Sequence, residues 1–558
     1  MSNDRKFDRR AFIRGLGAGA IAASPFVRHA VAAADPSSAF QHGVASGDPL
    51  ADRVIIWTRV SQGPGTVVPV FWDVALDAGF RQMLRRGRML AQAASDYTVK
   101  IDVLGLPANT KLYYRFRTGR QESPTGITRT LPIGSVTSVK MAVFSCSNFP
   151  AGYFNAYADA ALQDVDVALH IGDYIYEYGA GGYASQDALA LGRVSTPATE
   201  LLSLADYRER YAQYRGDADL QAAHAAFPWI CVWDDHEFTN DTWKAGAQNH
   251  QANEGDFFVR RAAALQAYYE WMPIRAVEPA RPLRIFRSFT FGNLVDLHML
   301  DTRAIGRDLQ LSYPSYFGPT GFNTAAFSAD LTQPGRQLLG AEQTQWLAGR
   351  LASTSATWTV LGQQVLMGRM NIPAPVVLQQ ISFSAYSALL FKAGTAPATL
   401  TPGEIAILAQ PAIPYNLDAW DGYFVARETV LGAARATNKN LVVLSGDTHN
   451  AWASDLVDVQ GRPVGVEFAT PGISSPGLEE FFPAEPPTAV AAGLEQLIGP
   501  LVYAETASRG YMLVTATPGE CRATWRYVST VKSPTYTAST GKELRVLPGA
   551  GNRRLVPV

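Results

Sequence analysis

The sequence predicts an α+β/α/β protein in two parts, an N-terminal immunoglobulin-like β-sandwich followed by a larger core of sheets and helices. Three observations support this prediction. Short β-favouring runs separated by turns occupy residues 40–132, strands alternate with helical segments from residue 139, and four polar clusters each follow an apolar run. A chain of 558 residues is long enough to bury the core of both parts.

The first part is indicated by strand-like runs at short intervals. Residues 54–58 are rich in β-branched and aromatic side chains, and alternating apolar and polar residues follow at 97–106 and 110–118. Turn residues at 63–65 and 106–109 separate these runs. Short strands at this spacing are typical of an immunoglobulin-like sandwich.

The second part, residues 139–535, alternates strands with helices. The spacing of apolar residues predicts helices over 156–162, 204–214, 256–271 and 341–351 and strands over 293–300 and 358–362. The segments 305–335 and 370–420 are interrupted by Pro, Gly and Ser and are expected as long loops that wall a site. Residues 536–558 are expected as a C-terminal tail.

The first 34 residues predict a twin-arginine signal peptide. Arg9 and Arg10 precede an apolar residue, a weakly hydrophobic stretch rich in Gly and Ala follows at 15–23, and small residues at 32–34 offer a cleavage site. The expected partner is the twin-arginine export machinery, and the expected location is the periplasm or the outside of the cell. The alternative is a cytosolic protein with an arginine-rich N-terminal helix.

Composition argues against two classes of function. Of the 48 Lys and Arg and 49 Asp and Glu residues, six and two lie within residues 1–34, which leaves 42 basic and 47 acidic residues. This balance gives no basic footprint for nucleic acid. No later apolar stretch has the eighteen or so residues of a membrane span. The cysteines Cys146, Cys231 and Cys521 are odd in number and argue against a disulfide framework.

Four short polar clusters are the most informative feature of the chain. They are 145–148 (SCSN), 172–177 (GDYIYE), 234–237 (DDHE) and 446–450 (GDTHN). The apolar runs before them predict buried strands of one sheet, whose carboxyl ends deliver the polar side chains to one edge. Charged groups near a core are unfavourable unless they are paired or bind metal. The clusters therefore predict a metal-dependent hydrolase.

The first two clusters offer ligands for ferric iron. Cys146 as a thiolate needs a nearby cation, and Tyr176, three residues after Asp173, returns its phenol towards the same point. Asp173 follows a glycine, and its carboxylate has two oxygens with which to bridge two cations. The alternatives are helix capping by Asp173, core packing of Tyr176, and a nucleophilic Cys146 in a Cys/His hydrolase.

The other two clusters are rich in oxygen and imidazole ligands. The candidates are Asp235, His236, Asn240, Asp241, Asp447 and His449. Oxygen-rich ligation favours hard cations such as calcium or magnesium over zinc. A solvated acidic loop is the alternative for 234–237, but the preceding run WICVW favours a buried strand end.

An anionic substrate also needs a positive charge beyond the metals. Arg260 and Arg261 begin a helical segment soon after the third cluster, and Arg260 is the candidate for binding a phosphoryl oxygen. An exposed helix arginine is the alternative. His298 alternates within an apolar strand and is predicted to be a core histidine instead of a ligand.

Seven runs of the sequence, in this order between residues 40 and 480, resemble one known family. They are FQHGVASGDPLADRVIIWTRV, FSCSNF, HIGDYIYEYG, WDDHEFTND, RRAAALQAYYEWMPIR, LDTR and LSGDTHNAW. Together they are similar to the PhoD-like alkaline phosphatase/phosphodiesterase family of the metallophosphoesterase superfamily. The resemblance implies a metallophosphoesterase core of four layers, α/β/β/α, after the N-terminal sandwich.

The resemblance also implies metals and a mechanism. Ferric iron would be bound by Cys146, Asp173, Tyr176 and His449, and one or two calcium ions by Asp173, Asp235, Asn240 and Asp447. A metal-bound hydroxide would attack phosphorus directly, in line with the leaving oxygen. His236 would protonate or orient the leaving group, and Arg260 would hold the phosphate.

The sequence leaves the substrate open. The resemblance implies hydrolysis of phosphomonoesters, phosphodiesters or both, with a phospholipase D-like or phosphotriester activity on the same scaffold as the alternative. A further alternative is a non-catalytic binding protein stabilised by metals. A structural calcium site needs neither thiolate nor phenolate, so Cys146 and Tyr176 argue against that class.

Overall fold

The computed structural model describes residues 37–61, 67–319 and 321–558. The twin-arginine pair and the predicted cleavage site lie outside the described residues. The strands are β1 (Val44–Gly47), β2 (Arg53–Arg59), β3 (Val68–Ala75), β4 (Met83–Ala91), β5 (Thr98–Leu104), β6 (Lys111–Thr118), β7 (Gln121–Glu122), β8 (Gly126–Arg129), β9 (Val139–Phe144), β10 (Val167–His170), β11 (Trp229–Cys231), β12 (Arg287–Phe291), β13 (Val295–Met299), β14 (Phe317–Gly318), β15 (Gly321–Phe322), β16 (Trp358–Gly362), β17 (Asn371–Pro373), β18 (Ala412–Pro414), β19 (Leu441–Ser445), β20 (Ala451–Val457), β21 (Pro463–Ala469), β22 (Leu501–Glu505), β23 (Arg509–Ala516), β24 (Cys521–Val528), β25 (Ala538–Val546) and β26 (Val556–Pro557).

The described residues form twelve α-helices, four of which follow the predicted segments closely. They are α1 (Asn155–Ala160), α2 (Ala188–Leu191), α3 (Leu204–Arg215), α4 (Ala218–Ala226), α5 (Phe257–Trp271), α6 (Thr324–Leu331), α7 (Gly340–Ser353), α8 (Ala374–Val377), α9 (Phe383–Thr395), α10 (Pro402–Leu408), α11 (Phe424–Ala436) and α12 (Pro487–Leu497). Local capping sets some starts: the Asp256 carboxylate accepts from the Phe258 amide at 2.7 Å before α5. No helix among the described residues is long and apolar enough to cross a membrane.

Two large mixed sheets form the centre of the protein. The ten-stranded sheet has the order β26-β25-β24-β23-β9-β10-β11-β1-β2-β5, and the seven-stranded sheet has the order β12-β13-β16-β19-β21-β20-β22. Both contribute to one hydrophobic core, in which Val143 and Leu169 of the first sheet lie with Val360 and Val442 of the second. Helices α3, α4 and α5 add residues to this core, whereas α7, α11 and α12 pack into a second one with the seven-stranded sheet.

The N-terminal part is joined to the large core through a shared sheet. Strands β3, β4, β6, β7 and β8 form a separate five-stranded sheet, and its core includes Val54 of β2 and Val70 of β3. However, β1, β2 and β5 belong to the ten-stranded sheet, because β1 pairs in parallel with β11 at Gly47 and Trp229. A Cβ on Gly47 would meet the carbonyl oxygens of Trp229 and Pro273, so this close approach requires glycine.

Two expectations from the sequence differ from the structure. Residues 536–558 are not a tail: β25 pairs with β24 and β26 pairs with β25, which extends the ten-stranded sheet. The segments expected as long loops contain regular structure, with β14, β15 and α6 in the first and β17, β18, α8, α9 and α10 in the second. Their short elements alternate with Pro and Gly, which hides the periodicity from a sequence reading.

Candidate active site

Parallel strands bring the four polar clusters to one edge of the core. Strands β9, β10 and β11 run parallel to one another, as do β13, β16 and β19 of the facing sheet. A cavity of about 520 Å³ opens where these strands end. Its lining residues are Asp173, Tyr178, Tyr183, Asp235, His236, Asn240, Asp241, Gln310, Leu311, Ser312, Tyr313, Pro314, Tyr415, Asn416, Leu417, Asp418, Asp447, Thr448, His449, Leu478 and Phe481. The four clusters therefore converge, but the strands before them do not belong to one sheet as predicted: β9, β10 and β11 lie in the ten-stranded sheet and β19 lies in the seven-stranded sheet.

Several of the converging residues have an unusual backbone. Cys146, Asp173, Asp447 and His449 have φ angles of 60°, 57°, 65° and 63°, in the left-handed region that side chains other than glycine rarely occupy. Each such residue costs of order 1 kcal/mol or more and persists only where its surroundings fix it. Backbone strain at four neighbouring polar residues is typical of a functional site.

The side chains form three overlapping groups of possible metal ligands. Cys146, Asp173 and His449 form the first group, Asp173, Asp235 and His236 the second, and Asp234, Asp235 and Asp447 the third, with the ligand atoms of each group within 4.8 Å of one another. Asp173 and Asp235 each belong to two groups, as bridging carboxylates would. We call Cys146, Asp173, Asp235, Asp447 and His449 the ligand floor.

Tyr176 lies against the first ligand group. Its hydroxyl donates to Asp173 Oδ2 at 3.1 Å and lies 3.3 Å from His449 Nε2 and 2.7 Å from Ser475 Oγ. His449 Nδ1 lies 2.7 Å from the carbonyl oxygen of Pro476, to which it can donate. This bond leaves the Nε2 lone pair directed towards Tyr176, which is the arrangement of a metal-binding histidine.

The electrostatics of the ligand floor fit a bound cation. Burial raises the pKa of the Cys146 thiol, of the Asp173 carboxyl and of the Tyr176 phenol well above their usual ranges, and the carboxylates near them add to the shift. Asp173 Oδ1 and Asp234 Oδ2 are buried without a hydrogen-bond partner among the described residues. A buried thiol, phenol and imidazole beside carboxylates, two of which have an unpartnered oxygen, form a donor set that can bind metal ions.

Arg303 is an important residue that the sequence reading missed. It is fully buried, and its guanidinium donates to the carboxylates of Asp234, Asp418 and Asp447, with Nη2 at 3.0 Å from Asp447 Oδ1. The arginine therefore offsets part of the negative charge beneath the cavity. Its only sequence signal was the run LDTR directly after β13.

Two buried glutamates, neither of them a site candidate from the sequence, accept hydrogen bonds from backbone amides in or beside the polar clusters. Glu237 is buried and accepts from the amides of Asp173, Tyr174 and Asp234, the first at 3.1 Å and the last at 2.7 Å. One carboxylate thus ties the loop after β10 to the loop after β11. The sequence signal for Glu237 is its place in the cluster 234–237, whose acidic residues the sequence analysis assigns to cation binding and not to a structural role.

Glu177 holds the other end of the same cluster. Its carboxylate accepts from the Asn240 amide at 2.7 Å and from Asn249 Nδ2 at 2.8 Å, and it lies 2.7 Å from His236 Nδ1. Burial alone would lower the pKa of His236, but Glu177 and Asp235 outweigh it and hold the pKa well above its usual range. The ring of Tyr176 lies 4.2 Å from the His236 ring between centroids.

Two family models match this chain. The model of the PhoD-like phosphatase matches residues 141–525, and the model of the N-terminal domain of PhoD-like phosphatases matches residues 24–132. The chain belongs to the PhoD-like phosphatase family. The resemblance predicted from the sequence motifs is therefore confirmed.

Individual relatives agree with the family models. Alkaline phosphatase D of Bacillus subtilis (strain 168) is 36% identical over 561 residues, which cover 96% of this chain and 86% of that protein. A solved structure described as the structure of PhoD matches with a TM-score of 0.77 and 35% identity, over 94% of this chain and 93% of that one. The predicted class of activity is confirmed: the chain is a phosphoesterase, a hydrolase of phosphoric esters.

The structure does not bring Arg260 to the cavity. Its guanidinium is buried and donates to Glu200 Oε1 at 2.6 Å, to the carbonyl oxygen of Asn249 at 2.9 Å and to the Tyr207 hydroxyl at 3.2 Å. These partners occupy the donors that a phosphate would need. A helical position soon after the third cluster looked suitable in the sequence, but the arginine lies on the core face of α5.

The remaining candidates divide between the cavity and the core. Asn240 and Asp241 both line the cavity, although Asn240 Nδ2 donates to Gln248 Oε1 at 3.0 Å and Gln310 Nε2 donates to Asp241 Oδ2 at 2.8 Å. His298 is fully buried in β13, as predicted for a core histidine, with Nδ1 2.8 Å from Ser288 Oγ. Its Nε2 has no hydrogen-bond partner among the described residues.

Proposed function

We propose that this phosphoesterase is an exported, metal-dependent enzyme that hydrolyses phosphomonoesters, phosphodiesters or both. The observation that carries the proposal is the sharing of Asp173 and Asp235 between adjacent ligand groups, together with the unpartnered, buried Asp173 Oδ1. A carboxylate oxygen in such a position is unfavourable unless a cation binds it.

In this proposal the floor holds ferric iron and one or two calcium ions. Cys146, Asp173, Tyr176 and His449 would bind iron, and Asp173, Asp235, Asn240 and Asp447 would bind calcium. The contacts among Asp173, Tyr176 and His449 support the iron set, and the oxygen-rich group of Asp234, Asp235 and Asp447 supports a hard cation. The bound cations would polarise the phosphoryl group and lower the pKa of a water molecule.

His236 is the proposed proton donor to the leaving oxygen. Its Nδ1 lies 2.7 Å from Glu177 Oε2, which leaves Nε2 as the atom that can exchange a proton with a substrate in the cavity. Glu177 fixes the orientation of the ring and favours its protonated form, as the carboxylate partner of a catalytic histidine does. A protonated imidazole would stabilise the alkoxide that leaves phosphorus.

A thiol nucleophile is the less favoured mechanism. Cys146 Sγ lies 2.8 Å from Ser145 Oγ, and burial with the Asp173 carboxylate raises the pKa of the thiol well above its usual range. Without a cation the thiol would stay protonated and would be a poor nucleophile. With a cation it is a ligand.

Metal analysis of the purified protein tests the proposal. We expect iron and calcium in whole-number ratios to protein, loss of activity with a chelator, and recovery with the two metals. A visible tyrosinate-to-iron absorption band should shift or disappear in Tyr176→Phe but not in Tyr178→Phe, a half-buried neighbour that lines the cavity. Full activity of a protein that holds only zinc, without colour, would reject the iron assignment.

Export is tested separately from catalysis. Replacing both Arg9 and Arg10 with lysine should leave the precursor in the cytoplasm with residues 1–34 attached, whereas Arg14→Lys should still be exported. Periplasmic accumulation of the double variant at the normal level would contradict twin-arginine export.

The finer architecture also remains part of the proposal. We infer an immunoglobulin-like sandwich over 40–132 and a metallophosphoesterase core with four layers, α/β/β/α, that begins at 139 and continues beyond the predicted boundary at 535 through β25 and β26. The two sheets that enclose the Val54 and Val70 core support the first, and the helices that pack with each large sheet support the second.

A further inference from the structure

The cavity has two chemically different sides. His236 and the ligand floor, apart from the fully buried Cys146, form a polar side. The other side comes mainly from two segments, 310–314 and 415–417, and from Phe481. We call Leu311, Tyr313, Tyr415, Leu417 and Phe481 the apolar wall.

No Lys or Arg lines the cavity among the residues that the structure describes. The nearest arginines are already engaged: Arg303 with three carboxylates, and Arg307, which is also fully buried, with Asp418. A phosphate in the cavity therefore meets no Lys or Arg side chain among the described residues, and in the proposed function its charge is met by the cations of the floor.

The apolar wall is a built part of the fold. Leu417 lies in a small hydrophobic cluster with Phe327, Ala374 and Ile413, and Leu311 and Tyr313 pack against this cluster. The Tyr313 hydroxyl donates to the carbonyl oxygen of Pro414, which ties the two wall segments together. The Tyr415 amide donates to the Met370 carbonyl oxygen at 2.7 Å. The wall is thus formed before any ligand binds.

Phe481 adds an exposed aromatic ring to this wall. Its side chain is 61% exposed, although it lies beside the buried Leu478 at the cavity. Covering a large apolar side chain at the rim of a cavity with an apolar ligand removes apolar surface from water and therefore favours binding. Tyr313, Tyr415 and Phe481 place three aromatic rings on this side of the cavity, which suit a flat aromatic group.

We propose that the apolar wall binds the organic group of a phosphodiester that stays on phosphorus, so that diesters whose retained group is apolar or aromatic are preferred over diesters whose retained group is polar. This inference rests on the proposed phosphoesterase function and names its substrate class. Water adds to phosphorus, the bond to the leaving alcohol breaks, and the product is a monoester that still carries the apolar group. Leu311, Tyr313, Tyr415, Leu417 and Phe481 are its specificity-determining residues.

A set of esters with one common leaving group tests the inference. The metal-replete enzyme is assayed on 4-nitrophenyl phenyl phosphate, 4-nitrophenyl glyceryl phosphate and 4-nitrophenyl phosphate, and each kcat/KM is divided by the uncatalysed rate. We expect the phenyl diester to exceed the glyceryl diester by about tenfold or more, as buried apolar groups commonly do. The monoester has no retained organic group and therefore measures the activity without contact to the wall.

Two matched variants assign the preference to the wall. Phe481→Ala should lower the ratio of phenyl to glyceryl diester by about fivefold. Phe391→Ala removes a ring that is 72% exposed and does not line the cavity, and it should leave the ratio unchanged. Because Phe481 is exposed, its loss should not prevent folding, which the unchanged melting temperature would verify.

The outcomes distinguish a failure of the substrate preference from a failure of the phosphoesterase function. Equal or higher kcat/KM for the glyceryl diester would overturn the inference and leave the phosphoesterase function intact. A preference for the phenyl diester that Phe481→Ala does not change would remove this residue and its wall from the explanation. Absence of turnover of every ester by metal-replete enzyme would reject the proposed function itself.

Discussion

The ligand floor, apart from the fully buried Cys146, and the apolar wall line the same cavity but are held in place by different means. Charged groups with several partners each fix the floor: Glu237 binds three backbone amides, and Arg303 binds three carboxylates. The wall depends on a small hydrophobic cluster and a few single bonds, such as the one from Tyr313 to Pro414. We therefore expect changes in the floor to spread through the site, and changes in the wall to stay local.

The largest effect is expected at Asp173, the carboxylate shared by two ligand groups. Asp173→Asn removes a charged oxygen from both, so we expect a loss of bound metal and a fall in kcat of about a thousandfold or more, with a smaller change in KM. Elemental analysis and steady-state kinetics measure both. The control is Asp164→Asn, whose side chain is 94% exposed. Full metal content with near-normal kcat would contradict a shared carboxylate.

Two buried arginines give the second test. Arg303→Met would leave Asp234, Asp418 and Asp447 without their common partner, and we expect the free energy of unfolding to fall by about 3–5 kcal/mol. Arg260→Met should destabilise by only about 1–2 kcal/mol, because the Glu200 side chain is 26% exposed and water can replace the arginine. Chemical denaturation measures both, and equal losses would show that the carboxylate network under the floor is not the stronger of the two.

The backbone of the floor gives the third test. Glu237→Gln keeps the shape of the side chain but places an amide group among three N–H donors, so we expect a loss of about 1–3 kcal/mol in stability. Because Asp173 and Asp234 shift with their backbones, kcat should fall by about 10–100-fold.

The matched control for this variant is Glu485→Gln. Glu485 also accepts from two successive backbone amides, those of Phe383 and Ser384 at 3.0 and 2.8 Å, but it does not line the cavity. It should lose stability without losing metal or kcat. If both variants behaved alike in kinetics, Glu237 would have no role in positioning the floor.

The floor could be predicted from the sequence because each of its residues follows a buried strand. Apolar runs precede Cys146, Asp173, Asp235 and Asp447, and the parallel strands β9, β10 and β11 place the first three together. Asp447 comes from β19 of the other large sheet, which differs from the single sheet that the sequence predicts. Arg303 could not be predicted in its role, because its partners lie 69, 115 and 144 residues away in the chain. Only the fold determines that a buried arginine in LDTR meets those carboxylates and that Arg260 does not reach the cavity.

The apolar wall and the pairing of β1 with β11 could not be predicted from the sequence, for a different reason. The segments 305–335 and 370–420 fold into short elements such as β14, β18 and α8, whose length is too small for a period to be visible. The joining of β1 to β11 rests on one parallel pair at Gly47 and on tight packing against Pro273. Local patterns describe strands and helices, but they do not say which strand will lie beside which.

The smallest effect is expected in the wall, at the bond between its two segments. Tyr313→Phe keeps the ring against Phe327, at 5.3 Å between centroids, and removes only the hydroxyl that donates to Pro414. We expect a loss of about 1 kcal/mol in stability and a rise of a few fold in KM for an aryl diester, with metal content and kcat unchanged. The control is Tyr316→Phe, whose hydroxyl donates to the exposed Asp330 at 2.8 Å and does not line the cavity. Because the floor makes no hydrogen bond to Tyr313 among the described residues, a fall in kcat as large as that of Glu237→Gln would show that floor and wall act as one unit and would reject the distinction between them.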